Sequence, residues 1–230
     1  MCLYNDGVIL EKQLFDKQTI KNIKESVSAL KPDHGFDHNL EFTVDKPKNL
    51  YSQYCSENID DKSFSILNNK IKKIVNEHIE DAVPFGNGNV VVQNSGYNAV
   101  MPHLDCPYRF TQYNYEKDLL GVLAFVPLDN FTKENGATGF VKGSHKFHLD
   151  NVKCYEGHYN DFYNDNHEQI ECKIGDVIIW NAKILHSGMP NHTKYSRAGI
   201  AINYVSNSIM DNLYKIMNEQ SHSEQYRNDV

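Results

Sequence analysis

His103 and Asp105, separated by one residue, have the types and spacing of a metal-binding pair. On an extended strand, residues i and i+2 lie on the same face, with Cα atoms about 7 Å apart. An imidazole and a carboxylate placed this way can bind one ion, while Leu104 points to the opposite face. Alone, the triplet does not define a metal site, because a histidine and an aspartate often fall at this spacing by chance.

A second histidine, His186, follows residues 175–180, in which a Gly-Asp turn opens the apolar run of a buried strand. On its own, His186 is typical of a hydrogen-bonded histidine at a strand end. Together with His103 and Asp105 it makes up the set of two histidines and one carboxylate that marks non-haem Fe(II) oxygenases. Such a set occupies one face of an octahedron. Three positions stay open, enough for a bidentate 2-oxo acid and dioxygen.

Arg197 lies eleven residues after His186, at the start of the apolar run 198–205. If the chain turns at 191–192 and the next strand runs back, Arg197 can reach the same interior. A buried guanidinium needs an anionic partner. The distal carboxylate of a bound dicarboxylate fits its two-pronged donor geometry. The alternative is a surface arginine at a strand start.

Two amphipathic helices are predicted ahead of these residues. In the first, residues 16–30, apolar residues recur every three or four positions, Asp16 can cap the start and Pro32 stops the helix. The second covers about residues 61–80, and we expect it to end before the helix-breaking residues Pro84, Gly86 and Gly88.

The pattern then changes to short β-rich runs divided by turn residues, at 90–93, 121–127, 138–141, 176–180 and 198–205. Strands without intervening helices predict antiparallel sheets, as in a sandwich or jelly roll. We therefore expect a mainly β fold with a helical cover, in one domain over residues 1–230. The helical cover spans about 1–85, the jelly-roll core about 86–208, and a short C-terminal helix with a polar tail 209–230.

Composition limits the classes of partner. The net charge of −7 argues against nucleic acid or an anionic membrane as the main partner. No apolar run approaches the roughly 20 residues needed to cross a bilayer. The five cysteines have no CxxC spacing, which favours a reducing compartment over a disulfide framework. We expect a cytoplasmic protein, and the sequence does not predict an oligomeric state.

Linked motifs between about residues 90 and 205 resemble the phytanoyl-CoA dioxygenase family. They are His103-Leu104-Asp105, the segment 135–146 (NGATGFVKGSHK), the Gly175-Asp176 turn with its strand, His186-Ser187-Gly188, Asn191 and Arg197. The resemblance implies a double-stranded β-helix core and Fe(II) bound by His103, Asp105 and His186. It also implies 2-oxoglutarate as co-substrate, salt-bridged by Arg197, and O2 as oxidant.

This chain departs from the family pattern at Gly188, where some members have a serine; Ser187 can take over that role. His145, in the Gly-Ser-His turn, is expected to hold a loop rather than a metal. Residues 147–168 are expected to form a solvated insertion beside the barrel mouth.

Substrate contacts are expected just after the metal-binding triplet, because Pro107 interrupts the strand there. Tyr108 and Tyr113 can form apolar walls and Arg109 can bind an anionic group of a small-molecule substrate. The alternative for Arg109 is an exposed arginine paired with a surface carboxylate.

The predicted function is an Fe(II)- and 2-oxoglutarate-dependent dioxygenase that hydroxylates a small organic molecule, releasing succinate and CO2. Retention of Asp105 favours hydroxylation over halogenation, which in related enzymes accompanies loss of this carboxylate. Two alternatives remain: a catalytically silent jelly-roll binding protein, and a cupin-like metal enzyme that does not use 2-oxoglutarate.

Overall fold

The computed structural model describes residues 1–30, 34–36, 52–97, 102–105, 119, 121–146 and 160–210. Four α-helices and ten strands lie in this part of the chain. The helices are α1 (Leu3–Asp6), α2 (Lys17–Ser26), α3 (Asp61–Val75) and α4 (Asn160–Asn166). The strands are β1 (Val8–Glu11), β2 (His34–Phe36), β3 (Ser52–Asn58), β4 (Ala82–Gln93), β5 (Gly121–Pro127), β6 (Gly139–Phe140), β7 (Glu168–Gln169), β8 (Val177–Asn181), β9 (His186–Ser187) and β10 (Arg197–Ser206).

The strands form two antiparallel sheets. The large sheet has the order β1-β8-β5-β10-β4-β3-β2, and the small sheet has the order β7-β6-β9. His103 extends the small sheet through an isolated antiparallel bridge to His186. The prediction of a mainly antiparallel β fold is confirmed.

The two faces of the large sheet carry different side chains. On β10, Ile200, Ile202 and Tyr204 belong to the core shared with the helices. Because side chains alternate along a strand, Arg197 and Gly199 lie on the opposite face. That inner face packs towards the small sheet, where residues such as Phe125, Ile178 and Trp180 form a second apolar cluster. The interior between the sheets is the space into which the candidate residues can project.

The two predicted helices form the cover. Asp16 caps α2 by accepting a hydrogen bond from Thr19 N at 2.8 Å, as the sequence predicts. Asp60 caps α3 in the same way through Ser63 N. Both helices bury the apolar stripe that their periodicity indicated, the residues being Ile20, Ile23, Leu67 and Ile71.

The N-terminal region contains more strand than expected. The helix α3 ends at Val75, and the predicted helix breakers Pro84, Gly86 and Gly88 lie inside strand β4. This part of β4 pairs with β10 across a register irregularity between Ala201 and Asn203. In the described residues β3 pairs with β4 only from Asn89 onward, so at Pro84 β4 borders β10 alone, a position that tolerates proline.

The predicted helical cover of residues 1–85 also contributes β1, β2 and β3 to the large sheet. These strands are short or polar, so they lack the alternating apolar pattern that marks a half-buried strand. At the other end of the chain, a helical turn begins at residue 207. Residues 211–230, with most of the predicted C-terminal helix and tail, lie outside the described residues.

Candidate metal centre

Backbone pairing brings the two candidate histidines side by side. His103 N donates to His186 O at 2.9 Å, and His186 N donates to His103 O at 3.1 Å. The two imidazole rings lie on the same side, with centroids 4.4 Å apart. The small sheet therefore joins two segments that are far apart in sequence.

Asp105 completes the cluster. Its Oδ1 lies 3.6 Å from His103 Nε2, and its Oδ2 lies 3.3 Å from His186 Nε2. One ligand atom from each of the three residues lies within 4.8 Å of the others. The His186 side chain is 5% exposed, whereas those of His103 and Asp105 are 24% and 19% exposed. The cluster is thus anchored on one side and open to solvent on the other, and its donor set suits Fe(II).

Neighbouring groups fix the direction of two candidate ligands. The indole N–H of Trp180 donates to Asp105 Oδ2 at 2.8 Å. His186 Nδ1 lies 3.0 Å from the carbonyl oxygen of Ile184, which can only accept, so Nδ1 carries the proton. The Nε2 lone pair of His186 is therefore free to bind a metal. Phe140 stacks on the same imidazole, with ring centroids 5.8 Å apart.

Arg197 lies on the inner face and is 4% exposed. Its Nε donates to Asn135 O at 3.1 Å, its Nη2 donates to Gly136 O, and its Cζ lies 4.0 Å from the centroid of the Phe131 ring. Burial lowers the pKa of Arg197 to about 10, which leaves the guanidinium charged at neutral pH. Among the described residues, no carboxylate lies within ion-pair distance of it. A buried cation in this position favours an anionic ligand.

Two polar residues next to Arg197 were missed by the sequence analysis. Gln93 pairs with Arg197 in the β4–β10 register, and Tyr97 follows on the loop after β4. Gln93 Oε1 and the Tyr97 hydroxyl are buried, and Tyr97 interacts with Gln93 and with the charge of Arg197. Burial raises the pKa of Tyr97, so its hydroxyl stays neutral and can donate. No motif in the sequence marks either residue; strand pairing places Gln93 beside Arg197.

The sequence model of the family described as "Phytanoyl-CoA dioxygenase (PhyH)" matches residues 3–199. The chain belongs to the PhyH family. Members of this family are Fe(II)- and 2-oxoglutarate-dependent oxygenases, so the chain is an oxygenase with these cofactors. The match also covers the N-terminal region, beyond the part from residue 90 that carried the resemblance.

Solved structures of the same kind share this fold. HygX from Streptomyces hygroscopicus, with nickel and 2-oxoglutarate bound, is 16% identical, with a TM-score of 0.66 over 89% of this chain and 85% of HygX. From nogalamycin biosynthesis, the α-ketoglutarate-dependent epimerase SnoN is 15% identical (TM-score 0.66; 89% of this chain, 80% of SnoN). The carbocyclase SnoK is 11% identical (TM-score 0.66; 89% and 81%). These are double-stranded β-helix proteins, so the predicted core is confirmed.

Ser187, the expected substitute for the serine that some PhyH members have at the position of Gly188, does not share the face of His186. Side chains alternate on β9, so Ser187 lies on the outer face when His186 faces the interior. Its hydroxyl donates to the Gly188 carbonyl oxygen at 3.2 Å, and its side chain lies beside the Tyr163 hydroxyl. The buried Tyr97 hydroxyl, by contrast, interacts with the charge of Arg197.

His145 holds a turn, as expected. Its Nε2 lies 3.0 Å from the Tyr4 carbonyl oxygen, which ties the Gly-Ser-His turn to the N-terminal turn of the chain. Its Nδ1 then has a lone pair, which is buried without a partner in the described structure. Gly7 packs against this nitrogen so closely that a Cβ would lie 2.5 Å from it.

The candidate substrate residues Tyr108, Arg109 and Tyr113 lie outside the described residues. Among the described residues, no helix combines the length and apolarity needed to cross a bilayer. Cys2 and Cys172 are free thiols.

Proposed function

We propose that His103, Asp105 and His186 bind Fe(II) and that Arg197 binds the distal carboxylate of 2-oxoglutarate. The observation that carries this proposal is the convergence of three ligand atoms within 4.8 Å, on the same interior that holds the buried Arg197, which has no carboxylate within ion-pair distance among the described residues. The donor set of two imidazoles and one carboxylate suits Fe(II) and leaves room for a bidentate 2-oxo acid.

A path of aromatic contacts connects the two sub-sites. The Arg197 guanidinium lies on Phe131, whose ring centroid is 5.6 Å from that of Phe125. Phe125 lies 6.1 Å from Trp180, and Trp180 lies 5.2 Å from His186. This apolar wall keeps water away from the guanidinium, which strengthens its attraction for a carboxylate.

We propose hydroxylation of a C–H bond of a small organic molecule as the reaction. When bound, Fe(II) and 2-oxoglutarate supply the oxidising chemistry, in which O2 is consumed and 2-oxoglutarate is converted to succinate and CO2. The chain's own residues orient the ligands: Trp180 holds the Asp105 carboxylate and the Ile184 carbonyl fixes the His186 tautomer. Asp105 as a third ligand favours hydroxylation over halogenation.

The substrate part of the proposal rests on the sequence after the metal-binding triplet. We propose that Arg109 binds an anionic group of the substrate, with Tyr108 and Tyr113 as apolar walls. We also propose that residues 1–230 form one domain that works in the cytoplasm. The family match over residues 3–199, which includes both the helical cover and the sheets, supports one domain.

The test begins with metal and co-substrate binding. Anaerobically loaded wild-type protein is expected to bind one Fe(II) per chain, and His103→Ala or His186→Ala to lose most of it. The matched control is His192→Ala, which removes an exposed histidine from the neighbouring turn. Arg197→Ala is expected to keep iron and lose 2-oxoglutarate affinity by roughly 30-fold or more, since losing one partner of a desolvated charge pair costs about 2–5 kcal/mol. Full iron binding by both histidine variants overturns the ligand assignment.

A screen of small molecules for stimulated succinate formation then tests the reaction. Hydroxylation predicts a product that carries one oxygen atom from labelled O2. A product without that atom would instead indicate isomerisation or ring closure, the reaction types of the epimerase SnoN and the carbocyclase SnoK. Unchanged stimulation in Arg109→Ala overturns the proposed anionic contact. A chain that binds iron but never decarboxylates 2-oxoglutarate would be a silent binding protein or a cupin-like enzyme.

A further inference from the structure

Helix α4 packs against the back of the candidate metal centre. It lies in the segment expected to be a solvated insertion, yet its Tyr163 is 2% exposed. Tyr163, Val141 and Leu185 form a small buried apolar cluster, against which Leu104 and Met189 also pack. We call these five side chains the backing cluster.

Each member of the backing cluster other than Tyr163 comes from a segment next to the metal centre. Leu104 lies between the candidate ligands His103 and Asp105, and Leu185 directly precedes His186. Val141 follows Phe140, which stacks on the His186 ring. Because side chains alternate along a strand, a ligand that faces the interior sends its neighbour to this outer face.

Tyr163 also makes polar contacts with the segment that follows His186. Its hydroxyl donates to Met189 Sδ at 3.2 Å and lies beside the Ser187 side chain. The Tyr163 ring stacks on His167, with centroids 4.6 Å apart and planes 6° from parallel. The Tyr163 ring thus packs between His167, which follows α4, and the apolar side chains of the backing cluster.

Gly139 leaves the space that the Tyr163 side chain occupies. A Cβ at Gly139 would lie 2.3 Å from the Tyr163 hydroxyl oxygen and 2.9 Å from His167 Cδ2. Gly139 has no left-handed backbone conformation, so alanine suits its backbone and would act by displacing Tyr163 and the His167 ring stacked on it. The packing of α4 against the small sheet can therefore be disturbed by a substitution on the helix or by one on strand β6.

We propose that Tyr163 is a positioning residue for the metal centre: α4 presses on the backing cluster and so holds His103, Asp105 and His186 at metal-binding separation. The proposal rests on the proposed metal site. Among the described residues, the two ligand segments, 102–105 and β9, pair through just the two backbone hydrogen bonds between His103 and His186. The backing cluster further restrains the positions of the three candidate ligands, because ligand geometry depends on the groups that support the ligands.

The test uses Co(II) alone as the probe, with affinity from calorimetry and geometry from its visible absorption bands. Tyr163→Ala is expected to weaken Co(II) binding on the order of tenfold and to change the absorption bands. Gly139→Ala, which expels the same side chain from the opposite side, is expected to reproduce both effects. Tyr163→Phe keeps the packing and should restore most of the affinity.

The control is Phe162→Ala, which removes the neighbouring, 40% exposed ring of the same helix and should leave Co(II) binding unchanged. Melting temperatures measured with and without Co(II) distinguish an effect on metal binding from an effect on the stability of the fold. If Tyr163→Ala lowers the melting temperature equally in both states and leaves the Co(II) affinity and spectrum as in wild type, Tyr163 is only structural and the proposal is overturned. If Tyr163→Ala does not fold, Gly139→Ala and Tyr163→Leu decide by the same criteria. Wild-type protein that binds no Co(II), or His103→Ala that binds it fully, instead overturns the proposed metal site.

Discussion

Trp180→Phe tests whether the hydrogen bond to Asp105 tunes the metal centre. The substitution removes the indole N–H that donates to Asp105 Oδ2 at 2.8 Å. It keeps an aromatic ring against Phe140 and His186, whose centroids lie 5.3 Å and 5.2 Å from that of Trp180. The change therefore isolates the hydrogen bond from most of the packing.

The expected magnitude follows from the charge of the acceptor. Hydrogen bonds to charged groups contribute about 1.5–3 kcal/mol, and about 1.4 kcal/mol corresponds to a tenfold change in affinity. Trp180→Phe should therefore weaken metal binding roughly 10-fold to 100-fold, the range typical of groups that support metal ligands. The substitution should lower the stability of the metal-bound state, because Asp105 binds a metal only when it is ionised and correctly oriented.

The assay is anaerobic competition for Fe(II) with a chromophoric chelator, applied to wild type and variant at equal concentration. Tyr204→Phe is the matched control, because it removes another buried hydrogen bond, from the Tyr204 hydroxyl to Asn68 Oδ1, on the helix side of the large sheet. Trp180 is also the single tryptophan of the chain, so its fluorescence should be quenched when wild type binds Fe(II). An unchanged Fe(II) affinity in Trp180→Phe, or an equal loss in Tyr204→Phe, would refute the reasoning.

Three further predictions follow from buried contacts. Tyr97→Phe should lower the affinity for 2-oxoglutarate about tenfold, because it removes a hydrogen-bond donor to a charged group. Binding of 2-oxobutyrate, which lacks the distal carboxylate, should be unchanged. Equal losses of affinity for both ligands in calorimetry would contradict this. Gly199→Ala places a Cβ 2.2 Å from the ring of Phe125, so overpacking should cost about 1–3 kcal/mol and lower the melting temperature by roughly 2–12 °C; an unchanged melting temperature would mean that the ring moves freely. Burial holds the pKa of His145 below its usual 6.5, so the unfolded chain takes up a proton first as the pH falls. The stability from neutral His145 is thus full above pH 6.5 and is lost as the pH falls through the lowered folded-state pKa; chemical denaturation should show a steeper loss for wild type than for His145→Gln, and parallel curves would show that His145 does not titrate this way.

Local rules predicted much of the fold because the relevant interactions are short-range. Asp16 caps α2 through a neighbour three residues away, and the strand β5 was predicted with its observed bounds from an unbroken apolar run. Both faces of β5 are buried, one under the helices and one under the small sheet, which is why its residues need no alternation. The polar segments of β2 and β3 carry no such pattern, and only their pairing with the large sheet makes them strands.

The sequence by itself determined which residue types could form the candidate site. The spacing of His103 and Asp105 places both side chains on one face of any extended segment, and the linked motifs predicted His186 and Arg197 as their partners. The family that those motifs resembled is confirmed. That His103, Asp105 and His186 bind the iron remains a prediction, which the ligand substitutions above test.

Only the tertiary structure decided which side chains surround these residues. The indole of Trp180 reaches Asp105 across 75 positions of sequence, and Gln93 meets Arg197 through strand pairing. Tyr163 reaches the back of the small sheet from a helix in a segment whose composition suggested only solvation. The strand contacts among them depend on how strands pair and which face each side chain takes, because a one-residue change of register would move the side chains of a strand to the opposite face.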